Sequence, residues 1–123
     1  MKTTSATHVR WDDMPRERLS DLLERRFITG EHVTLAQFFL ARGCIVPRHS
    51  HASEQMTHVV SGRLRLRLGP ELAEQVEVGP GEVLLIPSNL PHDAEALEDT
   101  MAFDSFSPIR QDWLERRDDY LRR

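Results

Sequence analysis

A single cysteine, Cys44, stands in a chain of 123 residues. One thiol allows no internal disulfide, and a reducing cytoplasm is the setting such a composition fits. Long apolar runs are lacking too. The longest, such as Val83 to Ile86, fall far short of the roughly 20 residues that a bilayer demands, so no membrane partner is expected. The opening stretch, MKTTSATHVRWDDMPRERL, has no apolar core of the kind a secretory signal needs. There is no basic surplus either: the formal net charge is −4, whereas a phosphate backbone calls for a basic surface, so nucleic acid is not the expected partner. Internal repeats and low-complexity tracts are also missing. What remains, 39% hydrophobic and 29% charged residues, is ordinary for one soluble globular domain with a real core.

The pattern present in the middle of the chain is alternation. In RLRLRLG, Leu64, Leu66 and Leu68 share one face and Arg63, Arg65 and Arg67 the other, which predicts a strand with a solvated or interface outer face. EQVEVG and EVLLIP read the same way, each closed by glycine or proline. HVTLAQFFLARG is apolar on both faces and predicts a strand covered on both sides. Turn signals recur at Gly30, Gly43, Gly62, Gly69-Pro70, Gly79-Pro80-Gly81 and Pro87-Ser88-Asn89. Short strands at this spacing predict an all-β sandwich or barrel. From Leu22 onward the sequence reads as a hairpin turning at Gly30-Glu31. The tail SPIRQDWLERRDDYLRR predicts a helix, with Ser107 as cap, Pro108 in the first turn and Trp113, Leu114 and Leu121 on one face. The division expected is an N-terminal segment over 1–21, a barrel over 22–108 and a C-terminal helix over 109–123.

The chemistry concentrates in HSHASEQ. Residues two apart on a strand point the same way, so His49 and His51 share a face, and Gln55 returns to the same pocket on the next strand. His92, whose approach Pro91 fixes, shares its strand face with the small Ala94 and Ala96, which leave room around it. Three imidazoles and one amide oxygen suit a divalent transition metal such as zinc, nickel, iron or manganese. His58 falls on the opposite strand face and reads as an outer or interface residue; His8 and His32 read as surface residues.

The wider spacing carries a resemblance. Gly43, five residues, His49-Ser50-His51, three residues, Gln55, six residues and Gly62 are similar to the first signature motif of the cupins. Gly81, five residues, Pro87-Ser88-Asn89, two residues and His92 are similar to the second. The resemblance implies a double-stranded β-helix (a jelly-roll barrel), with a metal held inside its wide end by His49, His51, Gln55 and His92. Three positions depart from the pattern: Gln55 replaces a glutamate, Asn89 a glycine and Ala96 an asparagine. Asparagine tolerates a positive φ better than most residues, so Asn89 is mild. Gln55 matters more. Neutral ligands leave a dication its full charge, which favours an anionic substrate and Lewis-acid chemistry over the stabilisation of higher oxidation states.

After the last expected strand comes MAFDSFSPIRQDWL. Asp104 shares a face with Ala102 and Phe106, and an inward carboxylate is costly unless it is paired or used. Arg110 suits a carboxylate partner, either Asp104 or a ligand's, and a surface salt bridge or helix-cap network is equally open on pattern alone. With the two motifs, the Asp104-x-Phe106-Ser107-Pro108-x-Arg110 ending resembles the pectin-degradation cupins over about 30–114. Those proteins convert unsaturated monouronates to open-chain keto-deoxy sugar acids. The resemblance implies Asp104 and Arg110 as catalytic residues, Phe106 and Arg110 at the substrate, a small anionic sugar-acid substrate and a homodimer. Asp104 would move the proton as general acid or base, Phe106 would wall the sugar ring, and Arg110 would add a two-pronged carboxylate contact. The competing readings are a metal-dependent dioxygenase or another cupin lyase, and a cupin that holds a small ligand without chemistry.

Overall fold

Strand periodicity becomes barrel geometry in the computed structural model, which describes residues 5–122; Met1–Thr4 and Arg123, parts of the expected N-terminal segment and tail, lie outside the described residues. A single 3-10 turn, Trp11–Asp13, precedes ten strands: β1 Glu17–Ser20, β2 Leu23–Thr29, β3 Thr34–Leu40, β4 Ile45–His49, β5 Glu54–Ser61, β6 Leu64–Leu68, β7 Glu74–Val78, β8 Val83–Ile86, β9 His92–Ala96 and β10 Thr100–Ser107. They form two antiparallel sheets, ordered β1-β2-β3-β10-β5-β8 and β4-β9-β6-β7. The facing sheets enclose a core to which Phe38, Leu66, Ile86 and Phe106 belong. The all-β jelly roll expected from the sequence is the fold observed.

Alternation explains the strands one by one. Leu64, Leu66 and Leu68 of β6 are buried. The arginines alternating with them, from Arg63 just before the strand, pair with acids on both neighbouring strands: Arg63 with Glu77 of β7, and Arg65 and Arg67 with Glu95 and Asp93 of β9. The basic row is thus neutralised locally. Strand β3 is covered on both sides as expected. Ala36, Phe38 and Leu40 face the core, while the outer Phe39 lies under the Arg16 guanidinium, 3.4 Å from its ring centre. Strands β2 and β3 form the hairpin that turns past Gly30, with Thr29 opposite Thr34.

Two motif positions show why their residue types are needed. Gly62 has φ +90°, and a Cβ there would meet the Asp99 carbonyl oxygen at 2.3 Å and the Thr100 Cα at 2.6 Å, so any side chain would collide with backbone. Asn89 adopts φ 64°, the left-handed conformation expected of it, while its N–H donates to the His51 carbonyl at 2.8 Å.

A short C-terminal helix is present as expected, and both ends carry detail that the sequence pattern did not show. Strand β1 lies within the expected N-terminal segment and pairs with β2 through Glu17 opposite Arg25. In the tail, α-helix is confined to α1, Gln111–Leu114, followed by a 3-10 turn at Asp119–Leu121. Arg116, at φ 57°, breaks the helical path between them. Trp113 and Leu121 are buried as expected, but Leu114 is exposed and does not share their face. Ser107 caps nothing; its hydroxyl donates to the His32 carbonyl. Among the described residues no helix is long and apolar enough to cross a membrane.

Candidate functional site

Register brings the sequence-predicted residues together. His49, the last residue of β4, is opposite His92, the first of β9. On the facing sheet, Gln55 of β5 is opposite Phe106 of β10, and Thr57 is opposite Asp104. Because β4 ends at His49, His51 enters from the following loop rather than along the strand as expected. The ring centres of His49 and His92 are 4.3 Å apart, and those of His51 and His92 5.1 Å. Each of the three histidines offers a ligand nitrogen within 4.8 Å of the others, and together they could hold a metal ion.

The backbone sets their tautomers. A carbonyl only accepts, so the Nδ1–H groups of His49, His51 and His92 donate to the carbonyls of Pro47, Ser53 and Leu90 at 2.8–2.9 Å. The Nε2 lone pairs are left free, the arrangement that orients metal-binding imidazoles. Burial disfavours their charged forms: it pushes His49 down to about 3, helped by neighbouring His92, and His51 to about 4, helped by the Arg110 charge. His92 is lowered for the same reason, with Arg110 again contributing. All three are neutral near pH 7 and able to bind a cation.

One detail fits a cation in this cluster. His92 Nε2 is buried without a hydrogen-bond partner, a costly condition for a lone pair unless something binds it. The Gln55 amide bridges the Thr57 hydroxyl at 2.9 Å and His51 Nε2 at 3.0 Å, which fixes the side chain against the histidine cluster where its oxygen can serve as a fourth ligand. Thr57 was not singled out in the sequence, although it shares Gln55's strand face two residues on.

Beside the histidines lies a cavity of about 60 Å³, whose lining includes Asp104, Phe106, Arg110 and Tyr120. Asp104 Oδ1 is buried without a partner. Burial pushes this carboxyl up to about 6, against the opposing pull of Thr57, Arg110 and Gln55. Phe106 is buried, its ring edge-on to His51 at 5.6 Å. Arg110 is buried with its guanidinium 4.7 Å from the ring centres of both Phe106 and Trp113. Its carboxylate partner is Asp112, and no ion pair joins it to Asp104. Arg110 Nε and Nη2 donate to the two Asp112 oxygens at 3.0 and 2.8 Å, so the fork expected to meet a ligand is already occupied. Nη2 also donates to the Tyr120 hydroxyl at 2.6 Å. His58 lies on the exposed outer face of β5, away from the cluster, and His8 and His32 are at the surface, all as expected.

Asp112, only two residues from Arg110, was overlooked as its partner, and Tyr120 escaped the sequence reading because its place depends on how the tail folds back. The latch holding that tail joins buried Asp118 to distant Arg25 and to Arg122 four residues on.

Comparisons place this geometry among known proteins. No curated protein sequence matches the chain. In fold it is similar to KdgF from a Halomonas species, with 24% identity over 87% of this chain and 99% of that one, and a TM-score of 0.79. A cupin of the RmlC-like type from Shewanella frigidimarina gives a TM-score of 0.80 at 19% identity, over 89% and 96% of the two chains. Oxalate decarboxylase from Bacillus subtilis, a protein with Mn(II) centres, gives 0.69 at 22% identity, over 87% of this chain and 31% of that one. The family model for the cupin domain matches residues 37–103, more than half of the sequence, and the chain belongs to the cupin family.

Proposed function

We propose that the protein is a metal-dependent enzyme that opens or tautomerises an unsaturated uronate or a related small sugar acid. The observation that carries this reading is Asp104: a buried carboxyl with an unpartnered oxygen, raised to about 6, in a cavity shared with three neutral histidines and Arg110. A general acid or base works best when its pKa is near the working pH. A divalent metal, zinc, nickel, iron or manganese, held by His49, His51, Gln55 and His92 would act as a Lewis acid towards a substrate oxygen. Asp104 gives or takes the proton that opens the hemiacetal or ketonises the enol. Phe106 walls the ring, and Arg110 supplies the positive field that draws in the carboxylate. The resemblance of the sequence to pectin-degradation cupins and the likeness in fold to KdgF support the reading.

The working form is a homodimer in the cytoplasm. In support of pairing, the outer face of β5 and β8 leaves Met56, Val60, Val83 and Leu85 exposed. The lone buried thiol of Cys44 suits a reducing compartment.

The test is to incubate metal-loaded protein with unsaturated galacturonate and guluronate and follow the absorbance of the conjugated double bond. A catalysed loss is expected. Oxygen uptake with other substrates would instead mark a dioxygenase, and uronate binding without turnover a binding protein.

A further inference from the structure

Tyr120 is the one tyrosine in the chain, and the tail delivers it to the cavity. Its ring stacks on His49, with centres 4.6 Å apart and planes 27° from parallel. Its oxygen accepts from Arg110 Nη2 at 2.6 Å. A phenol carries one hydrogen of its own, and among the described residues Tyr120 donates to nothing. A phenol lining the cavity, fixed at its oxygen by a cation and at its ring by a candidate ligand, is a placed donor without an acceptor in the protein.

The tail is held so that this donor stays put. Asp118, two residues earlier, is fully buried between Arg25 at 3.0 Å and Arg122 at 3.0 Å, and both arginines also reach Glu17. Trp113 lies between the Arg25 and Arg110 guanidinium groups, 4.4 and 4.7 Å from its ring. Arg110 cannot present its Nε–Nη2 fork to a ligand while Asp112 occupies it. With two of its three nitrogens occupied, Arg110 leaves room for a second directional donor at the anion.

We infer that Tyr120 is a ligand-binding residue of this site, its phenol O–H donating to a carboxylate oxygen of the small anionic substrate beside the histidine cluster. The inference rests on the reading above that the cavity takes such an anion. Tyr120 is the directional donor, and Arg110, neutralised in part by Asp112, positions it. Specificity for carboxylates then resides in the tail rather than in the barrel.

The test compares Tyr120→Phe, which keeps the stacked ring and loses only the hydroxyl, with wild type. Both carry Trp11→Phe, so that Trp113 beside Arg110 is the only indole reporting. Zinc uptake and melting temperature are measured first and are expected to match. Binding of D-galacturonate and of glycolate is then followed by Trp113 fluorescence. Losing a hydrogen bond to a charged oxygen is expected to weaken binding about tenfold to a hundredfold. Equal binding by the two proteins overturns the inference, as does a wild type that binds neither acid. Wild type that binds glycolate but not galacturonate sinks the uronate reading alone, and the Tyr120→Phe effect on glycolate then decides the inference.

Discussion

Arg25 and Asp118, 93 positions apart in sequence, meet at 3.0 Å with both side chains sealed from water. The contact is made by Arg25 Nη2, which also meets Glu17, while Nε and Nη1 have no hydrogen-bond partner and the guanidinium lies over Trp113. Leaving a buried charge with no partner costs about 3–5 kcal/mol, but Glu17 still holds Arg25 at 2.7 Å and Arg122 at 2.8 Å once the Asp118 charge is gone. Asp118→Asn is therefore expected to destabilise the protein by about 2 kcal/mol, read from denaturant unfolding, while leaving zinc affinity within a few-fold of wild type. A loss under about 1 kcal/mol would mean that the pair does not hold the tail.

The same cluster sets an acid limit. Burial raises the Glu17 and Asp118 carboxyls, but hydrogen bonds from Arg25 and Arg122 outweigh it and hold both below their ordinary values. A carboxylate lowered in the folded state contributes stability above its unfolded pKa of about 4 and loses it as pH falls through the folded value. The contribution of these two carboxylates should be level from pH 7 to 5 and be lost below 4, so melting temperature should fall steeply below pH 4, with a shallower fall in Asp118→Asn. Parallel profiles for the two proteins would place the acid sensitivity elsewhere.

Asp104 has the opposite sign. Its folded pKa, raised to about 6, exceeds the unfolded value near 4, so its ionisation costs stability as pH rises between the two. At about 1.4 kcal/mol per unit, the penalty above pH 7 is at most about 3 kcal/mol. In metal-free protein Asp104→Asn should melt higher than wild type at pH 8 and lose that advantage at pH 4. Turnover should drop about 100- to 10,000-fold with metal content intact. Full activity in the asparagine variant would remove Asp104 from the chemistry.

Gln55→Glu tests the charge of the ligand set. Gln55 is buried with its oxygen towards His51, so a carboxylate can take its place with little change of shape. Metal should bind as tightly or more tightly, measured by competition with a chelator. Turnover of an anionic substrate should slow, because the extra negative charge weakens the pull on its carboxylate. An equal or faster rate would refute the charge argument.

The barrel was legible because its evidence is local. Period-2 alternation in Leu64–Leu68 needs no knowledge of the partner strand, and the motif spacings placed His49, His51, Gln55 and His92 in one cluster. Strand β1 was hidden because Glu17 and Arg18 give it a polar look that only pairing with β2 explains. Tail helicity was overestimated because Trp113 and Leu121 are buried by folding back over the barrel mouth, not by lying along one helix face. Asp112 was missed for a local reason. Arg110 was read against the strand before it, while its partner lies in the helix it opens.

The two sheets end in unlike borders. Strand β7 closes one with Gln75 and Glu77 facing outward, Glu77 held by Arg63, a polar margin that discourages another chain from adding a strand. Strand β8 closes the other with Val83 and Leu85 exposed. Each sheet has a second edge as well, β1 beside β2 and β4 beside β9, and Ile45 of β4 is exposed like Val83. The acids of β7 therefore guard one edge of the four against an added strand, and the hydrocarbon that meets water is concentrated on β8 and β4.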